Sequence, residues 1–280
     1  MMNTTRNIVL LLVSMLLVNC GKDNPELPFM KSETIYDLAV EGGINTYQRT
    51  QYIRLTKPAL HPDSLPKPVS NADVKVNDGK NNIAFHETAT RGVYSAVVNN
   101  NTNYNKVYTL TIRYNNREYL ATDTLRQVIN INDDYLPLSA IKMASGNVSG
   151  IIPKHTFGYL YSSKWLIAYR GIPAWNPAKF DEANYYSYTH SLGSPNSLYP
   201  LTNQSRKFEL KADEFITIYK FSMTERYARY LYALFQETEW KGIFSGVPAK
   251  INGNISGNAQ GYFYVTDVDV RRYRTSELIR

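Results

Sequence analysis

Residues 108–121 admit one strand pairing, and it narrows the fold more than any other stretch of the chain. Taking Asn115-Asn116 as a two-residue turn sets Tyr114 against Arg117, and Arg113 then meets Glu118, an opposite-charge pair. Ile112 falls opposite Tyr119 and Leu110 opposite Ala121, so Tyr108, Leu110, Ile112, Tyr119 and Ala121 share one face. A slip of one residue would turn that apolar set outward and break the charge pair.

The same texture runs from Ile35 to about Val128. Leu38, Val40 and Ile44 open it, and Tyr52 to Thr56 continue it. The loop 57–68 holds Pro58, Pro62, Pro66 and Pro68, which lack the amide donor a central strand needs. Val74-Lys75-Val76 and Ile83-Ala84-Phe85 flank Asn77-Asp78-Gly79, where Asp-Gly tolerates the positive φ of a hairpin turn. Six or seven short strands in about 95 residues predict a β-sandwich.

Beyond Asn130 the pattern is looser. Phe157 to Tyr161, Trp165 to Tyr169, Phe208 to Leu210 and Phe215 to Phe221 read as strands. Between them lies 170–204, with Pro173, Pro177, Pro195 and Pro200, which reads as one long irregular stretch. It carries Trp175, Phe180, Tyr185, Tyr186, Tyr188 and Tyr199, too many rings for a disordered linker. A helix is predicted over about 223–240. Ser222 and Glu225 form its capping box, Tyr227, Leu231, Leu234 and Phe235 its apolar stripe, and Gly242 its left-handed cap. Residues 261–273, GYFYVTDVDVRRY, read as a strand or hairpin.

The location is read from the other end. Ile8 to Val18 is an apolar run after a single cation, Arg6, and it stops at Asn19-Cys20. It is shorter than the ~20 residues of a membrane-spanning helix and fits a signal-peptide core. Leu17-Val18-Asn19-Cys20 resembles the lipobox of bacterial lipoproteins, in which the cysteine sulfur takes the lipid, although Asn19 stands where a small residue is usual. Cys20 is the only cysteine, so a lipid there leaves no disulfide, and stability rests on packing. The segment 20–33, broken by Pro25 and Pro28, reads as a tether.

Composition excludes more than it selects. With 43% apolar residues the 280-residue chain can build real cores. Lys plus Arg exceed Asp plus Glu by 31 to 24, with a local cluster at Arg271, Arg272 and Arg274. No zinc-ligand spacing, RNP-like run or basic helix accompanies that charge, so nucleic acid is not the expected partner. His61, His86, His155 and His190 lie far apart in sequence, and no metal is expected. Gly146 to Gly150 misplaces the serine of a hydrolase elbow by one residue. No phosphate-cradling loop is present and no cofactor is expected. The chain therefore reads as a binding protein and not an enzyme. Two tripeptides, Asp63-Ser64-Leu65 and Asp123-Thr124-Leu125, resemble the Bacteroidetes O-glycosylation motif at Ser64 and Thr124; chance matches are the alternative.

Several blocks together resemble one family. They are Leu38 to Gly42, Pro68 to Val74 with Gly92-Val93-Tyr94, and the pair Tyr185-Tyr186. The most specific is the helix Thr224 to Trp240 leading into Gly242-Ile243-Phe244, Pro248, Gly253-Asn254-Ile255 and Gly261-Tyr262-Phe263. The chain is similar to the Bacteroidetes lipoproteins grouped as domain of unknown function 4249. Many of those carry further cysteines in the C-terminal half, and this chain has none there. The resemblance implies an N-terminal transthyretin- or immunoglobulin-like sandwich and an outer-membrane lipoprotein, surface-exposed or periplasmic, often encoded beside a TonB-dependent transporter. It implies no catalytic residues.

The expected layout is a signal peptide at 1–19, a tether at 20–33, a β-sandwich at 34–129 and a β-rich domain with one main helix at 130–280. The expected role is a lipid-anchored partner of a TonB-dependent transporter in nutrient uptake, holding a peptide, glycan or small molecule. A structural or adhesive envelope protein is the alternative. Trp175, Tyr185, Tyr186 and Tyr188 are the candidate contact residues, since aromatic rings dominate interfaces. For Tyr185 and Tyr186 packing within the domain is the competing reading.

Overall fold

The computed structural model describes residues 36–58, 65–99, 101–133, 136, 138–152, 163–170, 184–190, 206–211, 213–239 and 251–279. Tyr36–Arg280 forms one compact unit, mainly β with one α-helix among the described residues.

The first module is a sandwich. Its strands are β1 (Leu38–Asn45), β2 (Thr50–Lys57), β3 (Lys67–Pro68), β4 (Asp73–Asn77), β5 (Asn82–Glu87), β6 (Val93–Val97), β7 (Val107–Tyr114) and β8 (Arg117–Thr124). A strand from near the C-terminus, β15 (Ala259–Thr266), completes the order β15-β1-β2-β6-β5-β4-β7-β8. The β7–β8 register is the one the sequence dictates, with Arg113 against Glu118 at 2.8 Å and Leu110 against Ala121. Asn115 and Asn116 both take positive φ, 49° and 57°, as such a turn requires. Leu38, Val40, Ile53 and Phe263 from one layer bury against Val76, Tyr108, Leu110 and Ile112 from the other.

The sequence-based division at 129/130 assigns β15 to the second domain, whereas the structure pairs it in parallel with β1. The two end strands of the sheet, β15 and β8, are then joined by side chains. The Asn254 amide donates to the carbonyls of Thr122 (3.0 Å) and Phe263 (2.7 Å), and its Oδ1 accepts the Phe263 N–H (2.9 Å). The Asp123 carboxylate accepts the Val265 N–H at 3.0 Å. Backbone groups that an open edge would expose are thereby satisfied.

The second module pairs β9 (Ser139–Lys142), β10 (Val148–Ile152) and β13 (Arg206–Leu210) in the order β13-β10-β9. Against them lies a sheet of β11 (Ser163–Arg170), β12 (Asn184–His190), β14 (Phe215–Ser222) and β16 (Val268–Arg274), ordered β12-β11-β14-β16. Ala140, Val148, Trp165, Ile167, Ile216 and Ile218 form the core between the sheets. β12 corrects the expectation of one irregular stretch over 170–204, and residues 157–161 lie outside the described residues.

β15 and β16 are not a hairpin: one ribbon leaves the first sheet and enters the second through Asp267. Asp267 is buried, and its carboxylate accepts from Thr46 Oγ1 (2.6 Å), the Val128 N–H (2.9 Å) and the Tyr104 hydroxyl (3.3 Å). Its own N–H donates to Ser222 Oγ at 2.8 Å, and that hydroxyl donates to the Arg126 carbonyl at 2.6 Å. These bonds tie the β1–β2 turn, the linker after β8 and the end of β14 to one point.

Candidate functional site

Two residues, Met223 and Thr224, separate β14 from the helix α1 (Glu225–Glu239). Its cap is Thr224, not Ser222, whose hydroxyl is already engaged by Asp267 and Arg126. Thr224 Oγ1 accepts the Tyr227 N–H at 3.3 Å and donates to Asp123 Oδ1 at 2.8 Å. The cap thus fastens α1 to the last strand of the first module. Burial raises the Asp123 carboxyl above the usual range, opposed by the Val265 amide and the Thr224 hydroxyl.

Tyr227 and Leu231 of the expected stripe are buried and Leu234 is half-buried; the side chain of Phe235 and Gly242 lie outside the described residues. The stripe rests on Tyr262 and Tyr264, which alternate along β15 with the core residues Phe263 and Val265. Ring centroids are 4.8 Å apart for Tyr227–Tyr262, 5.1 Å for Tyr227–Tyr264 and 4.9 Å for Tyr230–Tyr262. Burial raises the phenol of each, that of Tyr264 to about 12, so all four are neutral donor–acceptors at pH 7. Glu41, opposite Tyr262 in the β1–β15 register, adds to the shift at Tyr227, Tyr230 and Tyr264. The half-buried Lys164 is pulled down by desolvation, and Glu41 partly restores it; its Nζ lies 5.5 Å from the Phe221 ring.

Beside the rings opens a cleft of about 420 Å³, lined by Glu225, Arg226, Arg229, Tyr230 and Ala233 of α1 and by Asn252-Gly253 across from them. Arg226 donates to the Gly253 carbonyl at 3.3 Å, and Arg229 pairs with Glu225. The cleft offers guanidinium donors and an aromatic wall. With the Glu225 carboxylate beside them, that is chemistry for holding a polar group that can both donate and accept. Among the described residues no cluster of His, Cys, Asp or Glu could hold a metal ion, and no helix is long and apolar enough to cross a membrane.

The residues singled out from the sequence are distributed as follows. Tyr185, Tyr186 and Tyr188 stand on β12 at the positions opposite Ala168, Ile167 and Trp165, and β12 runs beside α1. Thr124 ends β8 half-buried between Asp123 and Leu125, both buried. Cys20, Ser64 and Trp175 lie outside the described residues. Sequence reasoning missed Tyr262 and Tyr264. The alternation of GYFYV carried the signal, since two tyrosines two apart must share the face opposite Phe263 and Val265.

A family model described as "Domain of unknown function (DUF4249)" matches residues 30–272. No curated protein matches the chain. Among solved structures, the chicken CNTN1 FN1–FN3 domains are similar at 13% identity with a TM-score of 0.25, over 69% of this chain and 64% of that one. The chain thus spans just under two thirds of that structure's length.

Proposed function

The chain belongs to the DUF4249 family, and on that premise we propose that it is a non-enzymatic binding protein. It is anchored to the outer membrane by lipid on Cys20 and works beside a TonB-dependent transporter in nutrient uptake. The observation that carries the binding role is the cleft beside α1, with Tyr230 in its wall. Tyr230, Arg226 and Arg229 sit there on a helix fixed by its cap, its rings and the Asp123 bond, so little ordering is left for a ligand or partner to impose. The lipid anchor and the transporter rest on the sequence of Ile8 to Cys20 and on the family resemblance.

The test is purification of the membrane-extracted protein with its partners, followed by identification of those partners by mass. A TonB-dependent barrel should co-purify with the native chain. Tyr230→Ala with Arg226→Ala should weaken that association by roughly thirtyfold, the effect of losing an interface hot spot, at unchanged helix content. Retention of the barrel by the double variant, or its absence from the native preparation, would refute the reading.

A further inference from the structure

The sequence Arg271-Arg272-Tyr273-Arg274 lies on β16, the outer strand of its sheet, and sets its charges on alternating faces. Arg271 turns toward Asp269, 3.7 Å away. Arg272 and Arg274 turn the other way and share one partner, Phe215, which pairs with Arg274 across the strands. The guanidinium carbons lie 4.2 Å (Arg272) and 5.6 Å (Arg274) from the centre of that ring, and Phe215 is 42% exposed.

Among the described residues neither guanidinium meets a carboxylate. The nearby acids are engaged with backbone: Glu277 accepts the Arg274 N–H at 2.8 Å, and Glu214 accepts the Lys211 N–H at 3.0 Å. Elsewhere the arginines Arg113, Arg117 and Arg229 are each paired with an acid. Stacking on a ring fixes the plane of a guanidinium and leaves its N–H edges free for a bidentate anion. Two such forks around an exposed phenyl ring suit the boundary between water and a bilayer, where phosphates meet arginine and aromatic rings settle among headgroups.

We propose that the Arg272–Phe215–Arg274 face is a membrane contact that takes the phosphates of anionic lipids. Charge complementarity selects that occupant, since two guanidiniums with no acid partner among the described residues stand on a chain of net charge +7. Reach supports it, and this clause rests on the anchor at Cys20. The 15 residues between Cys20 and Tyr36 span at most about 55 Å, so Tyr36, the start of the compact unit, stays within that distance of the headgroups.

The test omits the anchor and uses Tyr36–Arg280, the compact unit that holds all four buried clusters. It should bind vesicles of mixed phosphatidylglycerol and phosphatidylcholine in about 0.1 M salt, and pure phosphatidylcholine hardly at all. Each arginine near an anionic surface counts for about fivefold, so Arg272→Gln with Arg274→Gln should lose roughly twenty- to thirtyfold in partition. Phe215→Ala should lose less. Arg91→Gln with Lys80→Gln, an equal charge removed from the exposed surface of the first module, should change partition less than twofold. Equal losses from the two double variants would mean net charge alone, and displacement by millimolar inorganic phosphate would mean a small-anion site. Either result overturns the proposal, as does absence of binding. The anchor is tested separately, because Cys20→Ser in the full chain should abolish acylation whatever the vesicles show.

Discussion

Asp267 is a buried acid that bonds no Lys or Arg among the described residues, and three hydrogen bonds hold its carboxylate: a hydroxyl at 2.6 Å, an amide at 2.9 Å and a phenol at 3.3 Å. Removing the carboxylate leaves the buried Val128 N–H without its acceptor, and a hydrogen bond to a charged group is worth about 1.5–3 kcal/mol. Asp267→Ala should therefore cost about 3 kcal/mol in urea unfolding, and a loss below ~1 kcal/mol would show that the network carries no weight. Nothing in Thr266-Asp267-Val268-Asp269-Val270 marks this residue. The alternation reads as a strand with an acid on its wet side, because a side chain that binds partners 139 and 221 residues away leaves no local trace. The misplaced cap has the same origin. Ser222 and Thr224 are both good caps by type, and only the demand of Asp267 on Ser222 decides between them.

Elements were legible where their partners are near in sequence. The β7–β8 hairpin needed only Asn115-Asn116, one charge pair and five apolar positions. β12 was legible only in part: the residues around Tyr185 and Tyr186 suggest a strand, but the alternation Tyr186-Ser187-Tyr188-Thr189 is short and prolines stand on both sides of it. For α1 the stripe was legible, but not the tyrosines of β15 beneath it. That docking sets a pH limit. Tyr264 has its phenol raised to about 12 against an ordinary value of 10, so the folded state holds the proton more tightly than the unfolded chain. Its contribution is complete below pH 10 and is lost as pH climbs toward 12. Tyr227 and Tyr230 shift in the same direction. Tyrosinate absorbance should rise in two stages, exposed rings first, with the later stage coinciding with loss of helical circular dichroism. A single stage near pH 10 with the helix intact would show that the rings under α1 are open to solvent.

At the scale of the whole molecule, the final ribbon makes the two modules one folding unit. β15 supplies Phe263 and Val265 to the first core, and Asn254 and Asp123 close the seam between β15 and β8. Beginning two residues after β15 ends, β16 covers the outer side of β14 in the second sheet. A division of the chain at 129/130 follows its texture but not its packing, since the pairing of β1 with β15 spans more than two hundred residues and is parallel. Fragment 34–129 expressed alone would leave the backbone edge of β1 unpaired and the inner faces of Leu38, Val40 and Ile44 without Phe263 and Val265. Burying a side chain of that size contributes about 1.5–3 kcal/mol, so losing two of them removes a large part of the 5–15 kcal/mol that holds a typical domain together. The fragment should show no cooperative thermal transition, and fusion of residues 251–267 ahead of residue 36 through a flexible linker should restore one. A sharp transition from 34–129 by itself, unchanged by the added segment, would mean that the first module folds without the strand it borrows.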